Sequence, residues 1–212
     1  MITFEYTEVV GLDHAVRGAR NPMDSWDRID SYWTHIEDPA TKQTAKFEYF
    51  IGENDLTLLK KLVKAGTDHA KFMRFIIVYV DITAPRYWLT EMDTYRMGVE
   101  KNSCSTMHTI HKRPLTEKDF SVEDSCGEHY FKRMLDMLNR CRELFIETKA
   151  KKYWRTIIKF LPQSFNQRRT YMISYQALRN MYHARKNHKL TEWHDFCAWV
   201  ESLPYAELIT DV

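Results

Sequence analysis

The first fifty residues change from a strand-like to an irregular pattern of hydrophobic and polar positions. Residues 2–10 alternate apolar and polar side chains and therefore predict a half-buried strand. After a turn, Asp13 favours the start of a short helix, which Asn21-Pro22 ends. Residues 23–53 show no sustained period, so we predict a loop with one or two short helices there.

The middle of the chain predicts a helix, a strand and a second helix. Asn54 or Asp55 caps the first helix and Gly66 stops it. The β-branched run 75–82 predicts a central strand, and Pro85 positions the second helix over residues 87–99. Helical spacing predicts buried faces of Leu56, Leu59, Leu62 and Val63 in the first helix, and of Trp88, Met92, Tyr95 and Val99 in the second.

A run of small polar residues follows the second helix. Residues 102–108, NSCSTMH, offer amide, hydroxyl and thiol groups at a turn, which suits phosphate oxygens. Such runs are equally common where the backbone only changes direction. Residues 109–127 are polar and predict a surface excursion. A zinc site is not expected there, because His108 and His111 have no Cys or carboxylate at ligand spacing.

The last third of the chain is predicted to be helical. Residues 128–149 form a long amphipathic helix, and residues 151–161 form a shorter one that ends before Pro162. Two more helices are predicted over residues 174–186 and 191–203. The predicted inner faces are Tyr130, Met134, Met137, Leu138, Cys141 and Phe145 in the long helix, Ala177, Leu178, Met181 and Tyr182 in the third, and Trp193, Phe196, Cys197 and Val200 in the last.

One cation continues the apolar row of the third helix. Arg185 lies seven residues after Leu178, in the position where the row predicts another apolar side chain. A guanidinium in a buried seam is costly unless acceptors meet it, so a planar polar ligand is one interpretation. The alternatives are an internal Asp or Glu, or a side chain that reaches solvent at the helix end.

Composition narrows the class of protein. A length of 212 residues favours a single domain over residues 1–212, and a net charge of +2 without a basic stripe argues against nucleic-acid binding. Aromatic residues make up 14% of the chain, which suits an oligomer interface or planar ligands.

The longest apolar run, residues 75–80, is too short to cross a membrane, and no signal peptide is indicated, so we expect a soluble cytoplasmic protein. Reduced thiols are expected at the widely spaced Cys104, Cys126, Cys141 and Cys197.

The C-terminal segment resembles the flavin-dependent thymidylate synthases. Leu161-Pro162 is followed, after eleven residues, by Ser174, Asn180 and Arg185. This order is similar to the family's LP pair and its N-x-R-S-L-x-N-F-L-x-L-R helix. In the family the last arginine touches the pyrimidine of deoxyuridylate and helps to polarise its ring, and the two asparagines approach the flavin. The resemblance implies that Arg185 is catalytic and substrate-binding, and that Ser174 and Asn180 bind the cofactor.

The middle segment resembles the family signature, which is R-H-R followed after four residues by N-E-x-S-x-R-Y. Asn102 and Ser105 match the N and the S, and the R-H-R falls on residues 95–97, of which Arg96 is the cation. In the family the signature cations hold flavin and substrate phosphates. The resemblance therefore implies that Arg96 and Asn102 bind the cofactor and that Ser103 and Ser105 bind the substrate.

A third resemblance precedes the predicted strand at residues 75–82. Gly66, Asp68 and Phe72 match the family's G-H-E-x-P-F-x-H segment, and His69 lies displaced from the family's histidine. This match implies that His69 contributes to the cofactor site.

Together these resemblances imply a fold class, an assembly and a reaction. The fold would be α+β, a single domain with a small central β-sheet flanked by several helices, assembling as a homotetramer. FAD would be the cofactor for reductive methylation of dUMP to dTMP, with methylenetetrahydrofolate and NAD(P)H as co-substrates. This chemistry needs no protein nucleophile, which fits a chain without a G-x-S-x-G elbow. The alternative is a pyrimidine-nucleotide-binding or assembly protein with altered or lost flavin chemistry, and it is favoured by the departures from the family pattern at Tyr95, Met97, Met107, Ser174 and Gln176.

Overall fold

A computed structural model describes residues 2–37, 44–122 and 127–211 of the chain. The strands are β1 (Thr3–Val10), β2 (Tyr32–Glu37), β3 (Thr44–Phe50), β4 (Ile77–Pro85), β5 (Val99–Ser103) and β6 (Asn166–Ser174). The α-helices of the described ranges are α1 (Leu12–Arg20), α2 (Glu53–Lys64), α3 (Arg86–Met92), α4 (Thr106–Thr109), α5 (Glu128–Thr148), α6 (Lys151–Phe160), α7 (Tyr175–Arg185), α8 (Thr191–Glu201) and α9 (Glu207–Thr210).

Four strands form one sheet in the order β1-β4-β6-β5, and β2 pairs with β3 as an antiparallel hairpin. This mixture of a small sheet with several helices confirms the predicted α+β class. The chain divides into two compact units. The first unit comprises Met1–Glu5, Asp81–Tyr95 and Lys101–Thr170, as far as these are described, and the second comprises the remaining residues. A single domain over residues 1–212 and a homotetramer stay predictions.

The core of the first unit lies between α5 and α6. Phe131, Leu135 and Leu138 recur at helical spacing on α5 and are buried against Ile157 and Leu161. The predicted inner face of α5 is wrong in part, because Tyr130 is 76% exposed and Met137 lies at the surface. The buried stripe is thus rotated relative to the prediction. Leu138 is fully buried as predicted, and the predicted Met134 and Cys141 are partly buried and pack against the same core.

The segment after α4 is more than a surface excursion. Ile110, Leu115 and Phe120 are buried in the same core cluster as α5. The side chain of Asn139 accepts a hydrogen bond from the Leu115 amide at 2.8 Å and donates to the Leu115 carbonyl at 2.9 Å. These anchors hold residues 110–120 against the helix, so the prediction of a polar excursion is wrong for this described part.

The second unit is built around α7 and α8. The predicted faces of both helices are largely confirmed, because Ala177, Leu178 and Met181 of α7 are buried, as are the four predicted residues of α8. Tyr175 at the start of α7 is also buried, and its hydroxyl donates to the Pro204 carbonyl at 2.5 Å. This bond fixes the chain between α8 and α9 to the start of α7.

Both caps predicted near the N-terminus are wrong. Gly11 and Gly52, rather than Asp13 and Asn54 or Asp55, occupy the N-cap positions of α1 and α2. Gly11 has φ 85, and a Cβ there would lie 2.1 Å from the Phe75 carbonyl oxygen, so glycine is required.

Residues 23–53 contain the β2–β3 hairpin, where a loop with one or two short helices was predicted. The helical part of that prediction is confirmed by a short 3-10 helix, Trp26–Arg28. The strands lack a simple alternation because aromatic rings occupy both faces. Tyr32 pairs with Phe50, Trp33 with Tyr49 and His35 with Phe47, with ring centroids 5.1–5.4 Å apart. These cross-strand pairs stabilise strands whose described side chains are largely exposed, a pattern that periodicity does not distinguish from an irregular segment.

The helix predicted over residues 87–99 ends at Met92, because the chain turns at Gly98 into β5. Gly98 has φ 71, and the Ser174 amide donates to its carbonyl at 2.9 Å. The strand predicted over residues 75–82 is confirmed as β4, which has a neighbouring strand on each side in the sheet. None of the helices in the described ranges combines the length and apolar composition that a membrane crossing requires.

Candidate functional site

A polar depression of about 290 Å³ lies where β5 ends beside β6. Its lining residues are Asn102, Ser103, Cys104, Arg168 and Thr170, and we call it the β5–β6 depression. The Cys104 amide donates to the Arg168 carbonyl at 2.9 Å, so the strand pairing continues one residue past β5. This pairing places the predicted Asn102 and Ser103 beside two residues of β6 that the sequence did not identify.

Arg168 carries the positive charge of this lining. Its Nε and Nη2 atoms donate to Asp81 Oδ2 at 3.1 and 2.6 Å, and Nη1 lies 4.0 Å from Glu5 Oε2. The Thr170 hydroxyl donates to Asp81 Oδ1 at 2.6 Å. The hydrogen bonds from Thr170 and Arg168 lower the pKa of Asp81. The guanidinium is therefore oriented from one side, while nearly half of the Arg168 side chain stays accessible.

The backbone that follows the depression is fixed by hydrogen bonds. The Gln167 side-chain amide donates to the Cys104 carbonyl at 2.7 Å. Ser105 is the N-cap residue of α4, and its carbonyl accepts from the Thr109 hydroxyl at 2.8 Å and from the His108 amide at 3.1 Å. Ser105 itself is half-buried and does not line the depression.

A second arginine of β6 has a different environment. Arg169 is mostly buried, and its Nη1 donates to Asp93 Oδ1 at 2.7 Å. Its Nε and Nη2 atoms donate to Gln167 Oε1 at 3.2 and 3.1 Å, and Lys101 also pairs with Asp93. Successive strand residues point to opposite faces, so Arg168 and Arg169 serve different sides of the sheet. Arg169 is held by structural partners, and Arg168 faces the depression.

Two further predicted residues lie at the N-cap and in the middle of α7. Ser174 is 3% exposed, and its hydroxyl accepts from the Ala177 amide at 3.3 Å as the helix N-cap. Asn180 is exposed, and its Oδ1 accepts from Gln176 Nε2 at 3.2 Å. Ser174 therefore has a clear role in the local fold, while Asn180 stays accessible from solvent.

Arg185 is the last residue of α7 and stacks on α8. Its guanidinium carbon lies 4.8 Å from the centroid of the Trp193 ring, which is fully buried. The Arg185 side chain is half-buried. The seam of α7 thus ends in a cation that covers an aromatic ring and still reaches the surface. The sequence alone did not predict this contact between Arg185 and Trp193.

The remaining predicted residues lie on exposed turns of the second unit. Arg96 precedes the turn at Gly98, and His69 lies in the turn after α2. Met97 is 89% exposed, and in the first unit Met107 is 49% exposed. Both methionines occupy positions where the family signature has arginine. Large apolar side chains are thus presented to solvent at two signature positions.

Two groups of residues emerge, one in each unit. The first is the β5–β6 depression, and the second is the α7 surface with Asn180 and Arg185. Arg168 and Thr170 were missed because β6 was not predicted. A strand predicted between Pro162 and α7 would have placed both side chains on the same face, since the two residues are two positions apart. Among the described residues, no group of His, Cys, Asp and Glu has the arrangement of a metal site.

The comparisons with known proteins give structural matches only. No protein-family model and no curated protein sequence matches the chain. The crystal structure of the flavin-dependent thymidylate synthase ThyX from Helicobacter pylori, complexed with FAD and dUMP, aligns with a TM-score of 0.71 and 19% identity over 99% of this chain and 98% of that chain. A second structure of Helicobacter pylori ThyX with FAD and dUMP has a TM-score of 0.71 and 18% identity, covering 100% and 98% of the two chains. The chain therefore has the fold of the flavin-dependent thymidylate synthases, as its sequence resemblance implied.

Proposed function

We propose that the protein is a thymidylate synthase-like enzyme that converts dUMP to dTMP, with FAD as cofactor and methylenetetrahydrofolate and NADPH as co-substrates. The observation that carries this proposal is the alignment over nearly the whole of both chains with an enzyme complexed with FAD and dUMP. Fold alone does not determine chemistry, so the proposal also depends on the residues of this chain. We further propose that it works as a cytoplasmic homotetramer.

The donor set of the β5–β6 depression suits a nucleotide phosphate. Ser103 and Thr170 each contribute a hydroxyl and Arg168 contributes a guanidinium, while the neighbouring Asn102 is assigned to the cofactor. Ser105 follows on the same segment and would extend this set. Under the proposal these groups bind the phosphate of the substrate by hydrogen bonds and charge, without any part in the reaction itself.

Arg185 would act on the pyrimidine. Its guanidinium is planar, permanently charged and held against Trp193, so its orientation is set before the substrate binds. A cation in such a position stabilises negative charge that develops on the base during carbon transfer. When bound, reduced flavin supplies the hydride for this chemistry. Arg96, Asn102, Asn180, Ser174 and His69 are the residues proposed to hold the cofactor.

The proposal predicts a specific effect of replacing Arg185 by alanine. We expect turnover of dUMP to fall by about 100-fold or more, because a preorganised charge is lost from the reacting centre. The control is Lys186→Ala, which removes one charge from the next, exposed position of the same helix end. Tritium release from labelled dUMP measures turnover, and thermal unfolding confirms that both variants are folded. Turnover in Arg185→Ala equal to that in Lys186→Ala would refute the role of Arg185.

A second candidate function is favoured by the exposed methionines. With Met97 and Met107 at signature positions, two cationic contacts to phosphates are replaced by apolar surface. Each charge-assisted contact contributes about 1.5–3 kcal/mol, so flavin affinity would fall steeply. The alternative is a pyrimidine-nucleotide-binding protein with altered or lost flavin chemistry.

The absorbance of the purified protein distinguishes the two candidates. Bound flavin gives a yellow protein whose visible spectrum changes when dUMP is added, and this result supports the enzyme. A colourless protein that gains no flavin on reconstitution, but whose melting temperature rises with dUMP, supports the nucleotide-binding protein. A protein that binds no flavin and is not stabilised by dUMP would contradict both candidates.

A further inference from the structure

The charges of the protein are unevenly distributed along its sequence. Residues 148–191 contain eleven Lys and Arg and no Asp or Glu, although the whole chain has 31 basic and 29 acidic residues. The remaining residues therefore carry 20 basic side chains against all 29 acids. The net charge of +2, on which the expectation of no basic stripe was based, averages over these two parts.

The arginines of β6 and α7 in this segment have internal partners. Arg168 and Arg169 pair with aspartates. Arg179 donates to backbone carbonyls of the C-terminal residues, and Arg185 covers an aromatic ring.

The cations on and next to α6 differ in this respect. They are Lys149, Lys151, Lys152, Arg155 and Lys159, and we call them the α6 basic stripe. All five side chains are exposed, and none of them forms an ion pair within the part of the chain that the structure describes. The positive charge of the segment is thus left open to solvent at α6.

The geometry of the helix places these charges side by side. Lys151, Arg155 and Lys159 recur every four residues, and Lys152 lies on the adjoining side, so the four cover an arc of about 100° of α6. The opposite side of the helix, with the buried Ile157, packs onto α5. Like charges at this spacing repel one another and destabilise a helix. An anionic partner that neutralises several of them at once would therefore be bound favourably.

Aromatic rings border the α6 basic stripe. Tyr153 and Phe160 are seven residues apart and lie on the same face of α6. Phe160 is 61% exposed, and the Lys152 ammonium lies 4.9 Å from the centroid of the Tyr153 ring. Rings beside cations suit a single-stranded nucleic acid, because its bases have free faces for stacking. A membrane surface requires a free apolar face on the helix, and the apolar face of α6 is covered by α5.

We propose that the α6 basic stripe, together with Phe160, is a binding surface for single-stranded nucleic acid, either RNA or DNA. The cations contact successive phosphates, and the exposed ring stacks on a base. Neither contact reads the edge of a base, so binding is independent of sequence. This inference goes beyond the proposed function and does not depend on it.

The salt dependence of binding tests the role of the charges. Fluorescence anisotropy measures the affinity of the full chain for labelled oligo-dT and oligo-U of about twenty nucleotides over a range of KCl concentrations. Five phosphate contacts predict that the association constant falls with salt with a log–log slope of about −3.5. Combining Lys151→Gln, Arg155→Gln and Lys159→Gln should change the slope to about −1.4 and weaken binding about tenfold or more at low salt.

The matched control removes three exposed charges from α5. It combines Lys132→Gln, Arg133→Gln and Arg140→Gln, and it should keep the slope and most of the affinity of the unmodified chain. Thermal unfolding followed by circular dichroism shows that both triple variants are folded. Equal slopes and equal affinities in the two triple variants would mean that net charge alone governs binding, and would overturn the proposal.

Phe160→Ala tests the contact with the bases. It should weaken binding by about fivefold or more and leave the salt slope unchanged, because it removes a ring and no charge. Unchanged affinity in this variant would overturn the assignment to a nucleic acid. The comparison of oligo-dT with oligo-U identifies DNA or RNA as the strand that binds more tightly.

Two competition experiments separate this surface from other sites and partners. We expect dUMP, added at constant ionic strength, to leave the oligonucleotide bound; displacement by dUMP would place the strand in a nucleotide site and overturn the proposal. We also expect no cosedimentation with phosphatidylserine vesicles. Cosedimentation that the triple variant of α6 loses, without binding to either oligonucleotide, would assign the stripe to a membrane surface instead.

Discussion

Replacing Asp55 by alanine removes the anion around which the start of the second unit is arranged. The Asp55 side chain is 1% exposed, and its Oδ1 accepts from Nε and Nη2 of Arg20 at 2.8 and 2.7 Å. Its Oδ2 accepts from the amides of Asp30 and Ser31 at 3.0 and 3.1 Å and from the Ser31 hydroxyl at 2.6 Å. One carboxylate therefore connects α1, α2 and the segment that leads into the β2–β3 hairpin.

The expected loss of stability follows from what the substitution leaves behind. The Arg20 side chain is 8% exposed, so its charge would remain buried without its carboxylate partner. Removal of one partner of such a pair costs about 3–5 kcal/mol. For a chain of this length each kcal/mol lowers the melting temperature by roughly 2–4 °C. We therefore expect Asp55→Ala to melt roughly 6–20 °C below the unmodified protein.

The assays are thermal melting, which gives the melting temperature, and urea unfolding, which gives the free energy of unfolding; both are followed by circular dichroism, with two controls. Glu143→Ala removes the anion of an exposed pair on α5 and should cost less than about 1 kcal/mol. Arg20→Leu combined with Asp55→Leu removes both charges together, and it should be less destabilising than the sum of the two single leucine variants.

Two outcomes would refute this reasoning. A loss below about 1 kcal/mol in Asp55→Ala would mean that the Arg20 charge finds other acceptors or reaches water. Additive effects in the double leucine variant would mean that the two side chains contribute independently, contrary to the geometry of their contact.

Two further predictions concern α7. Gly98 has φ 71, and a Cβ there would lie 2.4 Å from the Ser174 hydroxyl oxygen. Gly98→Ala should therefore lower stability by more than Gly66→Ala, because Gly66 has φ 106 but open space around it. Equal losses of stability in urea unfolding would contradict the steric argument. The hydrogen bond from Tyr182 to Glu201 is the main cause that raises the pKa of Tyr182 from 10.0 to about 12. The raised pKa adds stability that is complete below pH 10 and is lost as the pH rises through about 12, so the stability of Tyr182→Phe should depend less on pH over this range.

The sequence predicted elements best where an apolar face persists over several helical turns. The long helix over residues 128–149 and the two C-terminal helices were found within a few residues of their bounds, because helical periodicity persists over several turns. β4 was found because a buried strand reads as a continuous β-branched run. The fold family was predicted from motif order, and the full-length structural alignment agrees with it.

Elements that depend on distant partners were not predicted. The β2–β3 hairpin has rings on both faces, and only the pairing of its two strands makes the pattern regular. Asp55 reads as a helix cap by its position, but in the fold it meets Arg20, 35 residues earlier in the chain. A helix cap contributes about 1 kcal/mol, whereas breaking a buried ion pair costs about 3–5 kcal/mol, so the contact with Arg20 determines where Asp55 lies.

The sequence by itself determined the helical C-terminal segment, the position of Arg185 in its apolar row and the polar run that contains Asn102 and Ser103. The tertiary structure decided what these residues face. Strand pairing placed Arg168 beside Ser103, and helix packing placed Arg185 on the Trp193 ring. Neither contact has a local signal, since its partners lie on separate elements and are joined only by the pairing of strands or the packing of helices.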